Sequence, residues 1–133
     1  MTTITSADGE RADFPGLGNR FLVRSDRTDG RFAMLEHTLA PRALGAPMHT
    51  HRNEDEYSFV LTGRMSAMVG DEVVYAGPGE LVVKPRGVPH AFWNAIDEET
   101  RVLELAVGLL LEGARGQSAP RRRPSLGRGR RRG

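Results

Sequence analysis

Short β-prone runs, each closed by glycine, proline or Asp-Gly, recur along most of the chain. Segments 21–23 and 31–40 are separated by Ser25-Asp26-Arg27-Thr28-Asp29-Gly30, a turn cluster whose closing Asp-Gly favours a hairpin. Propensity alone would permit a helix over 32–39, but the turn residues on either side favour a strand. Gly63 and Gly70-Asp71 bracket 64–69, Gly77-Pro78-Gly79 closes 72–76, and 101–107 is the last strand. No segment reads as a helix longer than a turn or two. The count is about eight to ten strands, which predicts an all-β antiparallel sandwich or barrel.

Two stretches carry the candidate chemistry. In the first, His49 and His51 are one residue apart, so on an extended chain both rings point the same way and can share an ion. Glu56 has the opposite parity, and joins them only if the turn-tolerant residues 52–55 reset the phase. Glu54 and Asp55 compete with it as carboxylate donors. In the second stretch, an apolar strand runs into Pro85-Arg86-Gly87-Val88-Pro89, and His90 follows. Proline cannot donate to a β-ladder, so this segment must be a connection. Its stiffness delivers His90 with little loss of backbone entropy on folding.

Together the stretches resemble the cupin family. The first motif of that family appears as His49, His51, Glu56 and Gly63, and the second as Gly79, Pro85, Gly87, His90 and Asn94. The leading glycine of the first motif is replaced by Ala43, with Gly45 two positions later. The resemblance covers roughly residues 20–108 and far exceeds what a lone H-x-H would carry. It implies a double-stranded β-helix, a jelly-roll barrel of two facing antiparallel sheets. The organisation expected is an arm over 1–18, a cupin domain over 19–112 and a tail over 113–133.

The resemblance also makes His49, His51, Glu56 and His90 the metal ligands, and then Glu54 and Asp55 read as solvated turn residues. Three imidazoles and a carboxylate suit one divalent Fe, Mn, Ni, Co, Cu or Zn ion, with no thiolate to favour softer ions. If Glu56 faces inward, parity brings Ser58, Val60 and Thr62 with it, and His90 likewise brings Phe92 and Asn94. The expected substrate pocket is small and mostly apolar, lined by Ser58, Val60, Phe92 and Asn94. His37 lies outside both motifs and reads as an ordinary strand residue. The ligand set resembles that of flavonol dioxygenases, which implies a metal-dependent dioxygenase acting on a small enolisable or aromatic substrate, with Glu56 as the catalytic base. The alternative is a binding or sensory cupin without turnover.

Composition changes this picture in three places. There is no cysteine among the 133 residues, which excludes disulfides and suits a cytoplasmic protein. No secretory signal is read, because Met1 to Asp13 is polar and carries no apolar h-region, and no membrane span, because no run of about eighteen apolar residues occurs. The net charge of +2 conceals a division: residues 1–112 hold seventeen acidic and eleven basic side chains, whereas 113–133 hold eight arginines. That tail lacks the apolar residues to offset the entropy of ordering, so disorder is expected there. Polyanion binding through it is a distant alternative, and nucleic acid is disfavoured because no aromatics interleave the arginines. Tyr57, Phe59 and Trp93 fall on the outer face, which points to a covered surface, most simply a homodimer interface.

Overall fold

The computed structural model describes residues 9–108. Nine strands follow in order: β1 (Leu17–Val23), β2 (Phe32–Leu39), β3 (Leu44–His49), β4 (Glu54–Thr62), β5 (Met65–Val69), β6 (Glu72–Ala76), β7 (Leu81–Lys84), β8 (His90–Trp93) and β9 (Thr100–Gly108). They form a five-stranded sheet in the order β1-β2-β9-β4-β7 and a four-stranded sheet in the order β3-β8-β5-β6, with every pairing antiparallel. This is the jelly-roll barrel that the turn spacing and the resemblance imply. The sole helical element among the described residues is a single 3-10 turn at Ser25–Arg27.

The segment whose propensity permits a helix is a strand of strict alternation. Ala33, Leu35, His37 and Leu39 are buried, while Phe32, Met34, Glu36 and Thr38 are only partly so. Pairing decides it: β2 lies between β1 and β9, in continuous register with β9 from Phe32↔Val107 to Leu39↔Thr100. That two-sided ladder satisfies the backbone and buries one face, which outweighs a weak local preference. Asp29 and Gly30 carry φ of 53° and 73°, the left-handed pair that an Asp-Gly hairpin turn requires.

Residues within the segment read as an arm lie along β1, which itself starts at Leu17. Ala12 N donates to Asn19 O at 3.0 Å, and Phe21 N donates to Glu10 O at 2.8 Å. The tail over 113–133 is outside the described residues.

The space between the sheets is graded. Its apolar part is built from Leu17, Leu39, Val60, Met65, Val82, Phe92 and Val102 with smaller residues around them. Each such side chain contributes roughly 1.5–3 kcal/mol by leaving water. Inward positions then turn polar: Val60, Ser58, Glu56 and Glu54 along β4, Val102 and Glu104 along β9, Val82 and Lys84 along β7, all buried. Thr62, expected inward by parity, is exposed, because the β4–β9 register shifts between Val60 and Thr62. Past this bulge the chain turns at Gly63, whose φ is 79° and where a Cβ would come 2.3 Å from Thr100 Oγ1.

Candidate metal centre

The polar end of the barrel is assembled by two loops that hold each other. His49 closes β3 and pairs in register with His90, the first residue of β8. His51 lies past the end of β3, so the two H-x-H rings are brought together by an extended connection and not by one regular strand. The Pro-x-Gly turn is pinned to that connection: Gly87 N donates to His51 O at 2.7 Å, and Arg86 N donates to Asp55 Oδ1 at 2.8 Å. The Arg86 guanidinium also pairs with Asp55, at 3.0 Å. Gly45, nearer the other end of β3, gives the Phe92 ring its room, since a Cβ there would lie 2.1 Å from it.

One donor atom from each of His49, His51, Glu56 and His90 lies within 4.8 Å of the others. Ring centroids are 4.3 Å apart for His49 and His90, 4.9 Å for His49 and His51, and 5.4 Å for His51 and His90. Every imidazole has its Nδ1 engaged by an acceptor. His49 Nδ1 is 2.7 Å from Pro47 O, His90 Nδ1 is 3.2 Å from Val88 O, and His51 Nδ1 is 2.8 Å from Glu54 Oε1. Carbonyl and carboxylate oxygens only accept, so each Nδ1 carries its proton. In the neutral tautomer this leaves the Nε2 lone pairs as donors.

The Nε2 atoms of His51 and His90 are buried without a hydrogen-bond partner. His51 Nε2 does approach Glu56 Oε1, to 2.7 Å. A nitrogen lone pair facing a carboxylate at that distance is repulsive unless a proton or cation lies between them. The arrangement therefore fits a cation held by three nitrogens and one oxygen, a donor set suited to a divalent transition metal.

The charges agree. Burial lowers the pKa of His51, but Glu54 and Glu56 outweigh it and raise the value to about 9, so without an ion this ring takes a second proton. Burial lowers the pKa of His49, opposed by its contact with Pro47 O. Burial would raise the pKa of Glu56, yet the Lys84 ammonium and the His51 and His90 rings hold it well below the usual carboxylate range. The carboxylate is thus ionised and ready to ligate.

Several expectations need correction. Glu54 and Asp55 are strand residues of β4: Glu54 is 6% exposed and orients His51, and Asp55 clamps the second motif. Only residues 52–53 bend before β4 begins. Asn94, expected in the pocket, has its amide occupied elsewhere: Nδ2 donates to Leu39 O, Ala40 O and Glu98 O, and Oδ1 accepts from Ile96 N. It locks the loop after β8. Ser58 is inward, but its hydroxyl donates to Glu104 Oε2 at 2.6 Å. Val60 and Phe92 are buried in the apolar cluster.

The interior is also more polar than parity suggested. Lys84, Glu104 and His37 are all buried. His37 contacts Asn19 Oδ1 through Nδ1 at 2.5 Å and lies 3.6 Å from Glu104 Oε2 through Nε2. Two inward charges could have been suspected from the alternation of β7 and β9, where Lys84 and Glu104 share parity with Val82 and Val102.

Comparison with known proteins agrees with the fold. The Cupin domain family (Cupin_2) matches residues 35–107, and this chain belongs to it. It is 31% identical over 100 residues to an uncharacterised protein of Streptomyces coelicolor, covering 75% of this chain and 88% of that one. It is 37% identical over 89 residues to germin-like protein subfamily 3 member 1 of Arabidopsis thaliana, covering 63% of this chain but 38% of the plant protein. Among solved structures, a predicted oxalate decarboxylase of Thermotoga maritima superposes with a TM-score of 0.72 at 17% identity, over 81% of this chain and 100% of the other. No helix among the described residues is long and apolar enough to cross a membrane.

Proposed function

We propose that His49, His51, Glu56 and His90 hold one divalent transition-metal ion and that the protein is a metal-dependent dioxygenase acting on a small enolisable or aromatic substrate. The observation that supports the metal part of this most is the tautomer lock: three Nδ1 atoms are engaged, and one donor atom from each ring lies within 4.8 Å of the others and of that of Glu56. When bound, the ion would supply Lewis-acid chemistry that stabilises a deprotonated substrate oxygen. Glu56 would accept the substrate hydroxyl proton at its carboxylate. Its depressed pKa keeps the acceptor unprotonated at neutral pH, and Phe92 and Val60 limit water from the apolar side.

A second reading is favoured by the buried Lys84, Glu104 and His37: proton transfer or decarboxylation on a small polar acid, without dioxygen. The similarity in fold to a predicted oxalate decarboxylase is in keeping with it. The test is elemental analysis of the purified chain, followed by oxygen-electrode and carbon-dioxide assays with flavonols, catechols, β-diketones and small dicarboxylates. Oxygen uptake supports the first reading, and carbon-dioxide release without uptake supports the second. Ligand binding with neither leaves a sensory cupin.

Trp93, grouped with Tyr57 and Phe59 by parity, stands instead on β8 of the smaller sheet; the outer face of the larger sheet carries the rows Leu81-Phe59-Leu103 and Val83-Tyr57-Leu105, matched by strand register and with no charged residue in either row. Leu81, Val83 and Phe59 are exposed. We infer that a second copy of the chain covers it, since a two-fold contact sets a patch against itself and an uncharged patch does so without like-charge repulsion.

A further inference from the structure

Lys84 is the only lysine of the chain, beside eighteen arginines, and it is 1% exposed. Its Nζ lies 2.9 Å from Glu104 Oε1, 3.2 Å from Glu56 Oε2 and 5.0 Å from the Phe92 ring centroid. Two carboxylates and an aromatic face thus surround one ammonium. Glu104 is itself anchored, because its other oxygen accepts from Ser58 Oγ at 2.6 Å. A compact ammonium can serve two carboxylates inside a closed barrel, whereas a planar guanidinium needs more room and a flat, bidentate partner.

We propose that Lys84, anchored by Glu104 and Ser58, is a positioning residue that orients the Glu56 carboxylate toward the metal ion. The inference rests on the metal-binding reading above. Lys84 takes Oε2 of Glu56, while Oε1 stays on the side of His51, 2.7 Å from its Nε2. Oε1 is thereby directed at His51, while Oε2, fixed by the ammonium, lies 3.7 Å from His90 Nε2. Without that hold the carboxylate can rotate about its last bond and present either oxygen or both. Lys84 would then do for the carboxylate ligand what Pro47 O, Val88 O and Glu54 do for the imidazoles. Partners of ligands commonly change metal affinity 10–100-fold when removed.

The test uses Co²⁺ with the full chain, read by chelator competition and by visible absorption, which reports the cobalt coordination. Native protein should bind Co²⁺, and failure to do so would overturn the metal reading itself. The double variant Lys84→Met with Glu104→Gln removes one charge of each sign, leaving net charge unchanged and leaving Glu56 its contacts with His51 and His90. It should unfold cooperatively but bind Co²⁺ roughly 10–100-fold more weakly with an altered spectrum. Native affinity and spectrum in a folded double variant would overturn the positioning role. Glu104→Asp is the second variant, chosen in case the double one does not fold. It keeps every charge but draws the anchor back by one methylene, and should shift the spectrum while the protein stays folded. An unshifted Glu104→Asp spectrum would also overturn the role.

Discussion

The amide of Gly87 donates to the carbonyl of His51 at 2.7 Å, so the turn that delivers His90 is fastened to the loop that carries another ligand candidate. Gly87 has a φ of 76°, and a Cβ there would meet nothing within 4 Å. Gly87→Ala should therefore cost only the left-handed backbone penalty, about 1–2 kcal/mol. Gly63→Ala should cost clearly more, because its Cβ would also collide with Thr100 Oγ1 at 2.3 Å. Denaturant unfolding of both variants checks the order.

Metal content separates the clustered histidines from the remaining one. His51→Ala and His90→Ala should lower the bound transition metal sharply from about one ion per chain. His37→Gln should keep it, since His37 faces Asn19 and Glu104 and is not one of the four converging donors. Elemental analysis of the three variants decides, and equal content in all would refute the ligand assignment.

Glu56→Gln keeps the shape of the side chain and one ligand oxygen but removes the proton acceptor. If the protein is a dioxygenase, turnover should fall by roughly 10²–10⁴, while three imidazoles retain much of the metal. Oxygen uptake and metal content measured on the same preparation check this, and undiminished uptake would remove the carboxylate from the mechanism.

Without metal, stability should depend on pH through His51. Burial lowers its pKa, but Glu54 and Glu56 raise it from 6.5 to about 9. A group whose pKa is raised on folding binds its proton more tightly in the folded state. Its stabilisation is therefore complete below about pH 6.5 and is lost as pH rises through about 9. Chelator-treated native protein should lose melting temperature across that window, and His51→Gln should flatten the profile. A native profile as flat as that of the variant would count against the Glu54-His51-Glu56 contacts.

Phe59→Arg places a charge in the middle of the uncharged outer rows. If a second copy covers that face, the variant should run as a monomer in sedimentation while keeping its fold. Native protein that already sediments as a monomer would remove the inference.

What the sequence determined by itself is local. Period-two burial and turn residues are properties of a few neighbouring side chains, so the strands could be placed, with β6 found over the segment expected. The spacings His49-x-His51, Pro85-x-Gly87 and His90 survive in one dimension because each is set by a single turn or a single extended stretch. Tertiary structure alone decided which residues serve the cluster. Ser58 meets Glu104 across 46 positions, and Lys84 meets Glu104 across 20. Those meetings follow from β4 lying between β7 and β9. Asn94 shows the same limit: its inward parity was readable, but the three carbonyls that take its amide were not, and two of them lie 54 and 55 positions away. Parity gives the face of a strand on which a side chain stands. Only the pairing of strands distant in sequence gives that side chain its partners, and hence makes a buried charge such as Lys84 tolerable.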